Sequence, residues 1–449
     1  MVSEAAQPGP GERPGPLDRL LRLFGDVRAG EAGTTLLMLA NIFVILAGYY
    51  VCKTVREPLI LAGGGAEVKS YSSAGQALAL MGFIPLYSWF SSRVSRARLV
   101  LGVTLFFIVN LELFWLGAQV GVPYLGVVFF IWVGIFNNAI VAQFWSYGND
   151  LYRQEAGQRL FPVIGIGMTL GAPLGAALAG WLFKLGVGAY TMLHVTVVML
   201  AISLALYAMV EAREERRRRQ APLARLASGP GGFALLAQSP YLRLICLLLI
   251  VLNLVNTTGG YILDTVVVDE AARAVQAGAD EEAFIGAFYG NYYFWVNVLT
   301  ALIQALLVSR IVKYLGLRGA LLALPIVALG AYGSVIAGAT FFAIKWAKTV
   351  ENATDYSVMN TARQLVWLPT RREEKYKAKQ AADTFIVRIG DLLSAGLVFA
   401  GTAWLGLGTR GFAGANLVLV GLWLLVAVMV LRENRTLSAK RAQEEASAA

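Results

Sequence analysis

The stretch EAREERRRRQAPLARLASGPGGFALLAQSP, residues 211–240, is charged in its first half and rich in proline, glycine and serine in its second. It is the one long polar interruption in a 449-residue chain that is 57% hydrophobic and only 15% charged, with a mean hydropathy of +0.62. Soluble domains run near 45–50% apolar and about 25% charged, so lipid is the solvent this composition suits. Apolar runs long enough to cross about 30 Å of hydrocarbon at about 1.5 Å per residue lie on both sides of the stretch. Before it come 34–55, 74–91, 99–117, 123–147, 161–183 and 189–210; after it come 241–263, 284–309, 319–338, 339–367, 382–407 and 411–431. The expected fold is an all-α polytopic membrane protein of about twelve transmembrane helices in two six-helix bundles. Its parts are a tail 1–33, a bundle 34–210, the linker 211–240, a bundle 241–431 and a tail 432–449. So many spans leave no room for a catalytic domain, and a soluble enzyme is excluded.

The net charge of +10 is spread in a way that argues against nucleic acid as a partner. Basic residues fall in alternate loops: Arg13, Arg19, Arg22 and Arg28; Arg93, Arg96 and Arg98; Arg153 and Arg159; Arg213 and Arg216 to Arg219; Arg310, Lys313 and Arg318; Arg371 to Lys379; Arg432, Arg435, Lys440 and Arg441. The loops between are short and nearly uncharged, or acidic, as at Asp269, Glu270, Asp280, Glu281 and Glu282. This alternation is the positive-inside pattern and puts both termini in the cytoplasm, with the linker arginines resting on anionic headgroups. Residues 7–16, QPGPGERPGP, carry no cleavable signal pattern. Cys52 and Cys246 fall inside spans and read as small buried hydrophobes, so no disulfide, metal or cofactor framework is expected. No phosphate-loop motif occurs. The glycine-rich GIGMTLGAPLGAALAG (165–180) places Gly167, Gly171 and Gly175 at a spacing that lets helix backbones approach closely.

The two halves resemble one another. SSRVSRARLVLG (91–102) after the second span parallels VSRIVKYLGLRGALLA (308–323) after the eighth, and FWSYGNDLYRQEAGQRLFPVIG (144–165) corresponds in place to NTARQLVWLPTRREEKYKAKQAAD (360–383). Parallel six-helix halves around a central cytoplasmic loop are the pattern of major-facilitator-type carriers, whose substrate sites lie between the halves near the midplane.

Ionisable residues at membrane depth cost several kcal/mol and persist where they face a cavity or a partner. The first span ends YYVCKTVREPL, where Lys53, Arg56 and Glu57 share a face. Glu57 is placed to pair with Lys53, Arg56 presents a planar fork to an anion, and Pro58 is expected to stop the helix. The alternative is that these basic groups snorkel at the surface. The tenth span, FFAIKWAKTVENATDYSVMNTARQLVWLPT (341–370), carries Lys345, Lys348, Asn352, Tyr356, Met359 and Arg363 at three- and four-residue steps, with Glu351 and Asp355. Such a stripe either lines a wet path or lies on the membrane surface. In the eleventh, AADTFIVRIGDLLSAG, Arg388 and Asp391 share a face beyond Asp383, as a gating pair or an intrahelical one. Glu112 and His194 stand isolated. Cations outnumber carboxylates in these helices, which favours a small anionic substrate. Tyr49, Tyr50, Trp346 and Tyr356 serve either to stack on a base or as interfacial belt residues.

YYVCKTVREPLIL, FWSYGNDLYRQEAGQRLFPVIGIG and above all DYSVMNTARQLVWLPTRREEKYKAKQAADTFIVRIGDLLSAG resemble the ATP/ADP translocase family of nucleotide carriers, from about residue 34 to 431. The resemblance implies a major-facilitator-like fold in a bacterial inner membrane, with basic residues engaging nucleotide phosphates. Arg56 stands at the family's basic position, and Lys377 and Lys379 lie in its lysine-rich motif. Val133 and Asn256 stand where the nucleotide exchangers carry glutamates, leaving Asn137, Asn138, Asn253 and Asn256 as neutral hydrogen-bonding groups. The implied function is antiport of nucleotides or another phosphorylated anion by alternating access; no cofactor is expected, and a monomer is compatible with the sequence, which does not set the oligomeric state. Two others compete: a carrier of a different solute, proton-coupled through Glu57, Asp355 or Asp391, and a non-transporting sensor on the same fold. Substrate-binding candidates are Lys53, Arg56, Lys345, Lys348, Asn352, Tyr356, Arg363, Asn138 and Asn256. Gating or coupling candidates are Glu57, Glu351, Asp355, Lys377, Lys379, Asp383, Arg388 and Asp391.

Overall fold

The computed structural model describes residues 26–28, 30–91, 93–94, 96–152, 154–215, 232–371, 374 and 378–448. Lys377, Arg153, the 7–16 segment, Arg13, Arg19, Arg22 and the Arg216 to Arg219 run lie outside the described residues. Among the described residues the regular structure is helical and contains no strand. The helices are α1 Ala32–Ser91, α2 Arg96–Gln119, α3 Leu125–Leu151, α4 Gln154–Lys184, α5 Leu193–Glu215, α6 Gly232–Gln238, α7 Pro240–Gln276, α8 Glu281–Ile303, α9 Ser309–Ile336, α10 Phe341–Thr354, α11 Asn360–Leu365, α12 Lys379–Ala381, α13 Val387–Ala403 and α14 Thr409–Ala448.

Among the described residues nine helical stretches are long and apolar enough to cross a membrane, by length and composition. Two of these, Ala32–Tyr87 and Glu281–Ile336, run 56 residues. Straight, each would measure about 84 Å, far beyond one bilayer core. Each is broken by a glycine in a left-handed conformation, Gly65 (φ 70, ψ −175) and Gly316 (φ 63, ψ −159). Glycine adopts such angles without the Cβ clash that other residues meet. α1 is therefore two arms joined at Gly65. Pro58 does not stop the first arm, contrary to the sequence expectation, and sits inside the helix. Proline removes one backbone hydrogen bond and bends a helix, whereas reversal of the chain needs the positive φ that Gly65 supplies.

α10 is too charged to be counted with the nine. Thr340 caps it by accepting from the Ala343 amide at 3.4 Å, and a π-helical turn, Asp355–Met359, joins it to α11. A second π-helical turn, Ala382–Ile386, joins α12 to α13. Such turns insert a residue into the ladder and recur at functional positions. α7 begins with Pro240 at its first position and Ser239 as its cap. It continues past the expected end at 263, and α14 continues past 431.

The chain divides into two compact units. The first comprises Met1–Val55, Tyr87–Leu125 and Phe136–Ala224; the second comprises Arg56–Leu86, Gly126–Ile135 and Arg225–Ala449. In the first, α4 lies against α1 along a glycine seam. A Cβ on Gly167, Gly171 or Gly175 would stand 2.3, 2.4 or 2.3 Å from the carbonyl oxygens of Leu39, Phe43 and Ala47. Both sets advance by four residues in the same sense, so the two helices run parallel at a separation that only glycine permits. The packing reading of 165–180 holds. Cys52 is buried and donates from Sγ to Thr196 Oγ1 at 3.3 Å. Glu112 and His194 are not isolated: Nδ1 lies 3.1 Å from Oε1. Arg159 ties α4 to the chain entering α1, donating to Glu31 Oε1 at 3.0 Å and to the Asp26 carbonyl at 2.5 Å.

Candidate functional site

Within the second unit, α7 carries Asn253, Asn256, Thr257, Gly260 and Asp264 at three- and four-residue steps, which places them on one face. Its buried positions otherwise include Leu248, Leu249, Val251, Leu252 and Val255. Three polar clusters are built on that face.

The first is centred on Asp391. Asn253 Nδ2 donates to Asp391 Oδ1 at 2.7 Å and to the Val387 carbonyl at 2.8 Å, and Thr257 donates to Asp391 Oδ1 at 2.9 Å. Arg388 donates to Asp391 Oδ2 at 3.4 Å, so the pair is intrahelical and fastened to α7. α13 comes this close because residue 390 is glycine; a Cβ there would lie 2.7 Å from Asn253 Cβ.

The second joins α7, α9 and α10. Asn256 Nδ2 donates to Asp355 Oδ2 at 2.9 Å, and Arg363 reaches back across the π-helical turn to Asp355 Oδ1 at 3.1 Å. Lys348 Nζ lies 2.7 Å from Glu351 Oε2 and donates to Tyr332 Oη at 3.3 Å; Tyr332 in turn donates to Glu351 Oε1 at 2.5 Å. Lys348 is 3% exposed and Glu351 0%. The single polar stripe expected along this segment is thus two seams. Lys348, Glu351 and Asp355 are buried against neighbouring helices, while Lys345, Asn352 and Arg363 are half-buried and Tyr356 is exposed. Lys345 donates to Asn291 Oδ1 at 2.6 Å and stands 5.5 Å from the Phe288 ring centre and 6.0 Å from that of Trp346.

The third cluster was not foreseen. Lys69, on the second arm of α1, lies 2.6 Å from Glu57 Oε2 on the first arm and 2.6 Å from Asp264 Oδ1 on α7. Glu57 also accepts from Arg56 Nε at 3.0 Å and from Tyr293 Oη at 2.7 Å, and Tyr289 Oη donates to Asp264. Glu57 therefore pairs with Arg56 and Lys69; the expected Lys53 partner instead sits with its ammonium 5.0 Å from the Tyr50 ring centre. The Arg56 guanidinium covers the Phe130 ring at 4.6 Å. Tyr289, Tyr292 and Tyr293, with ring centres 5.5–6.0 Å apart, connect this cluster to α10, where Asn352 donates to Tyr292 Oη at 2.6 Å.

Opposite charges are therefore matched through the site: Lys348 with Glu351, Arg363 with Asp355, Arg388 with Asp391, and Lys69 and Arg56 with Glu57 and Asp264. Matching of this kind is what low-dielectric burial demands. Beside Gly260, between the Asn256 and Asp264 positions, a Cβ would meet nothing within 4 Å, so α7 borders open space there. Of the remaining candidates, Asn138 is half-buried in the first unit, Asp383 is exposed in the π-helical turn, and Lys379 donates to Gln364. Among the described residues no cluster of His, Cys, Asp and Glu is arranged to hold a metal ion.

No protein-family model matches the chain. It is 23% identical over 360 residues to ADP,ATP carrier protein 1 of Chlamydia trachomatis, covering 68% of this chain and 64% of that protein. It is 21% identical over 359 residues to ADP,ATP carrier protein 1 of Chlamydia pneumoniae, covering 68% and 66%. The chain thus spans just under two thirds of the length of these relatives. Among solved structures, the nucleoside transporter NupG aligns with a TM-score of 0.64 at 11% identity over 89% of this chain and 98% of that one. A bacterial homologue of the iron transporter ferroportin, in an inward-facing state, aligns with a TM-score of 0.64 at 16% identity over 90% and 98%. The chain is an all-helical integral membrane protein, similar in sequence to the ADP,ATP carrier proteins and in fold to major-facilitator-type transporters.

Proposed function

We propose that this protein is a secondary carrier that exchanges nucleotides, or another phosphorylated anion, by alternating access in a bacterial inner membrane. The similarity to ADP,ATP carrier proteins over 360 residues carries the reading. Counting each helix bent at glycine as two crossings, and adding the charged α10–α11, brings the nine apolar stretches to twelve crossings, divided six and six by the 211–240 linker. With that number both termini are cytoplasmic. The half-exposed seam of α10–α11 supplies the chemistry: Lys345 for a phosphate, and Trp346 and Tyr356 for a base. Because Lys348 and Arg363 are engaged by carboxylates of their own segment, they position the seam, and Lys345 is the phosphate-binding residue of this helix.

The test is uptake of labelled ADP or ATP by proteoliposomes containing the full chain and loaded with unlabelled nucleotide. Counter-exchange that falls at least about tenfold in Lys345→Gln, a loss of about 1.4 kcal/mol, supports the reading. Absence of exchange for every nucleotide tried removes it.

A further inference from the structure

Asp264 stands apart from the other carboxylates of the site. Asp355 and Asp391 have arginine partners within their own helical segments, and Glu57 has its chain neighbour Arg56. Among the described residues, the cation within ion-pair distance of Asp264 is Lys69, which belongs to the folded-back arm of α1 rather than to α7. Further along α7, Arg273 is paired with Glu270. The groups that interact with Asp264 are Lys69 and Glu57 from α1, Tyr289 and Tyr292 from α8, and Tyr261 one turn earlier on α7. From α10, Lys348, which is paired with Glu351, meets α7 at Gly259, more than a turn before Asp264. The chain's one histidine is in the other unit.

Arg56, Lys69, Glu57 and Asp264 sum to zero charge while they are packed together. Arg56, Glu57 and Lys69 all lie on α1, so a step of the proposed alternating access that withdraws this arm from α7, within the unit that holds both, divides the sum unequally. One net positive charge leaves with α1, and Asp264 stays behind with the Tyr289 hydroxyl. Asp264 is 4% exposed, and a buried carboxylate left ionised without a cation costs several kcal/mol, so such a group neutralises instead. We propose that Asp264 is a proton-binding site of the carrier, a proton from water replacing Lys69 on its carboxylate when the α1 arm withdraws and leaving when Lys69 returns. The balance is closed: one O–H bond forms at Asp264 as one ion pair breaks, and the reverse step releases the same proton. Glu57 cannot serve in this way, because Arg56 travels with it. The Lys69 charge freed by withdrawal would favour entry of an anion, so the inference deepens the proposed exchange and rests on alternating access.

The experiment reads the proton directly and needs no transported solute. Full-length protein in detergent is titrated from neutral to acid pH while infrared difference spectra are recorded in the protonated-carboxyl C=O region. A band that grows on acidification, disappears in Asp264→Asn and remains in Glu57→Gln supports the assignment. Lys69→Met should show the band already at neutral pH, and Tyr289→Phe should shift its frequency, since the hydroxyl then no longer donates to the carboxyl. A band unchanged in Asp264→Asn overturns the proposal. If Asp264→Asn fails to fold, a spectrum unaltered by both Lys69→Met and Tyr289→Phe overturns it equally. Loss of nucleotide exchange in proteoliposomes has no bearing on the band, so the two readings fail separately.

Discussion

Lys69 Nζ lies 2.6 Å from Glu57 Oε2, although twelve residues of unbroken helix would hold the two about 18 Å apart. The contact exists because Gly65 folds α1 back on itself, at angles (φ 70, ψ −175) that belong to a region almost reserved for glycine. Gly65→Ala is expected to lose about 1–3 kcal/mol through backbone strain alone, since a Cβ at this position would touch nothing within 4 Å. Gly63→Ala, in equally open surroundings but with helical backbone, is the control. Thermal unfolding in detergent should show a lower midpoint for the first and an unchanged or slightly higher one for the second. Equal midpoints would mean that the turn is not held at Gly65.

The same turn explains what could and could not be read from sequence. Long apolar runs and the Gly167, Gly171 and Gly175 spacing are local patterns, and each has a direct physical counterpart in the fold, in the apolar helical stretches and in the seam between α1 and α4. Lys69 and Asp264 fell outside the spans because a hydropathy window treats a charge as a boundary, while the helices bearing them run on, to Ser91 and Gln276. The signal available was the run Gly63, Gly64 and Gly65, which can reverse a chain and set a lysine against the preceding arm. In α10 the three- and four-residue steps led to one polar stripe where the structure has a buried seam and a half-buried one. Periodicity gives angles around one helix and says nothing of its neighbours. It could not tell that Lys348 and Glu351 face Tyr332 while Asn352 faces Tyr292.

The glycine seam between α1 and α4 makes a steric prediction. Any side chain at Gly171 would place its Cβ 2.4 Å from the Phe43 carbonyl oxygen, against backbone that cannot swing away. Gly171→Ala should destabilise by about 1–3 kcal/mol, as overpacking of a close interface does. Gly165→Ala, on the same helix with nothing within 4 Å, should be neutral or mildly stabilising. Thermal midpoints of the two variants measured side by side decide it, and a neutral Gly171→Ala would contradict the parallel seam.

Lys348 and Glu351 form a buried pair 2.7 Å apart, with side chains 4% and 0% exposed. Removing one partner leaves an uncompensated charge in a packed interior, which costs about 3–5 kcal/mol in buried pairs. Lys348→Met and Glu351→Gln should each lower the thermal midpoint strongly. The double variant should be more stable than the sum of the two losses implies, because no charge then remains. Additive losses would show that the two side chains do not interact.

Asn256 donates to Asp355 Oδ2 at 2.9 Å, at the place where the resemblance to nucleotide exchangers sets a glutamate. In this structure a glutamate there would turn a hydrogen bond into a contact between two carboxylates, with Arg363 the cation that reaches Asp355. The neutral amide is therefore what permits Asp355 to hold Arg363 across the π-helical turn. Asn256→Glu is expected to destabilise the protein at neutral pH by on the order of 2 kcal/mol, the cost of losing a hydrogen bond to a charged group and leaving the acceptor poorly satisfied. Adding Asp355→Asn should recover most of that loss, because the new glutamate can then accept from the amide while Arg363 gains a carboxylate partner at the neighbouring position. The check is the thermal midpoint of the single and double variants beside Asp355→Asn alone. If Asn256→Glu is as stable as the parent, the two helices do not meet as described. If the double variant is no better than the single, the loss has a cause other than the meeting of two negative charges.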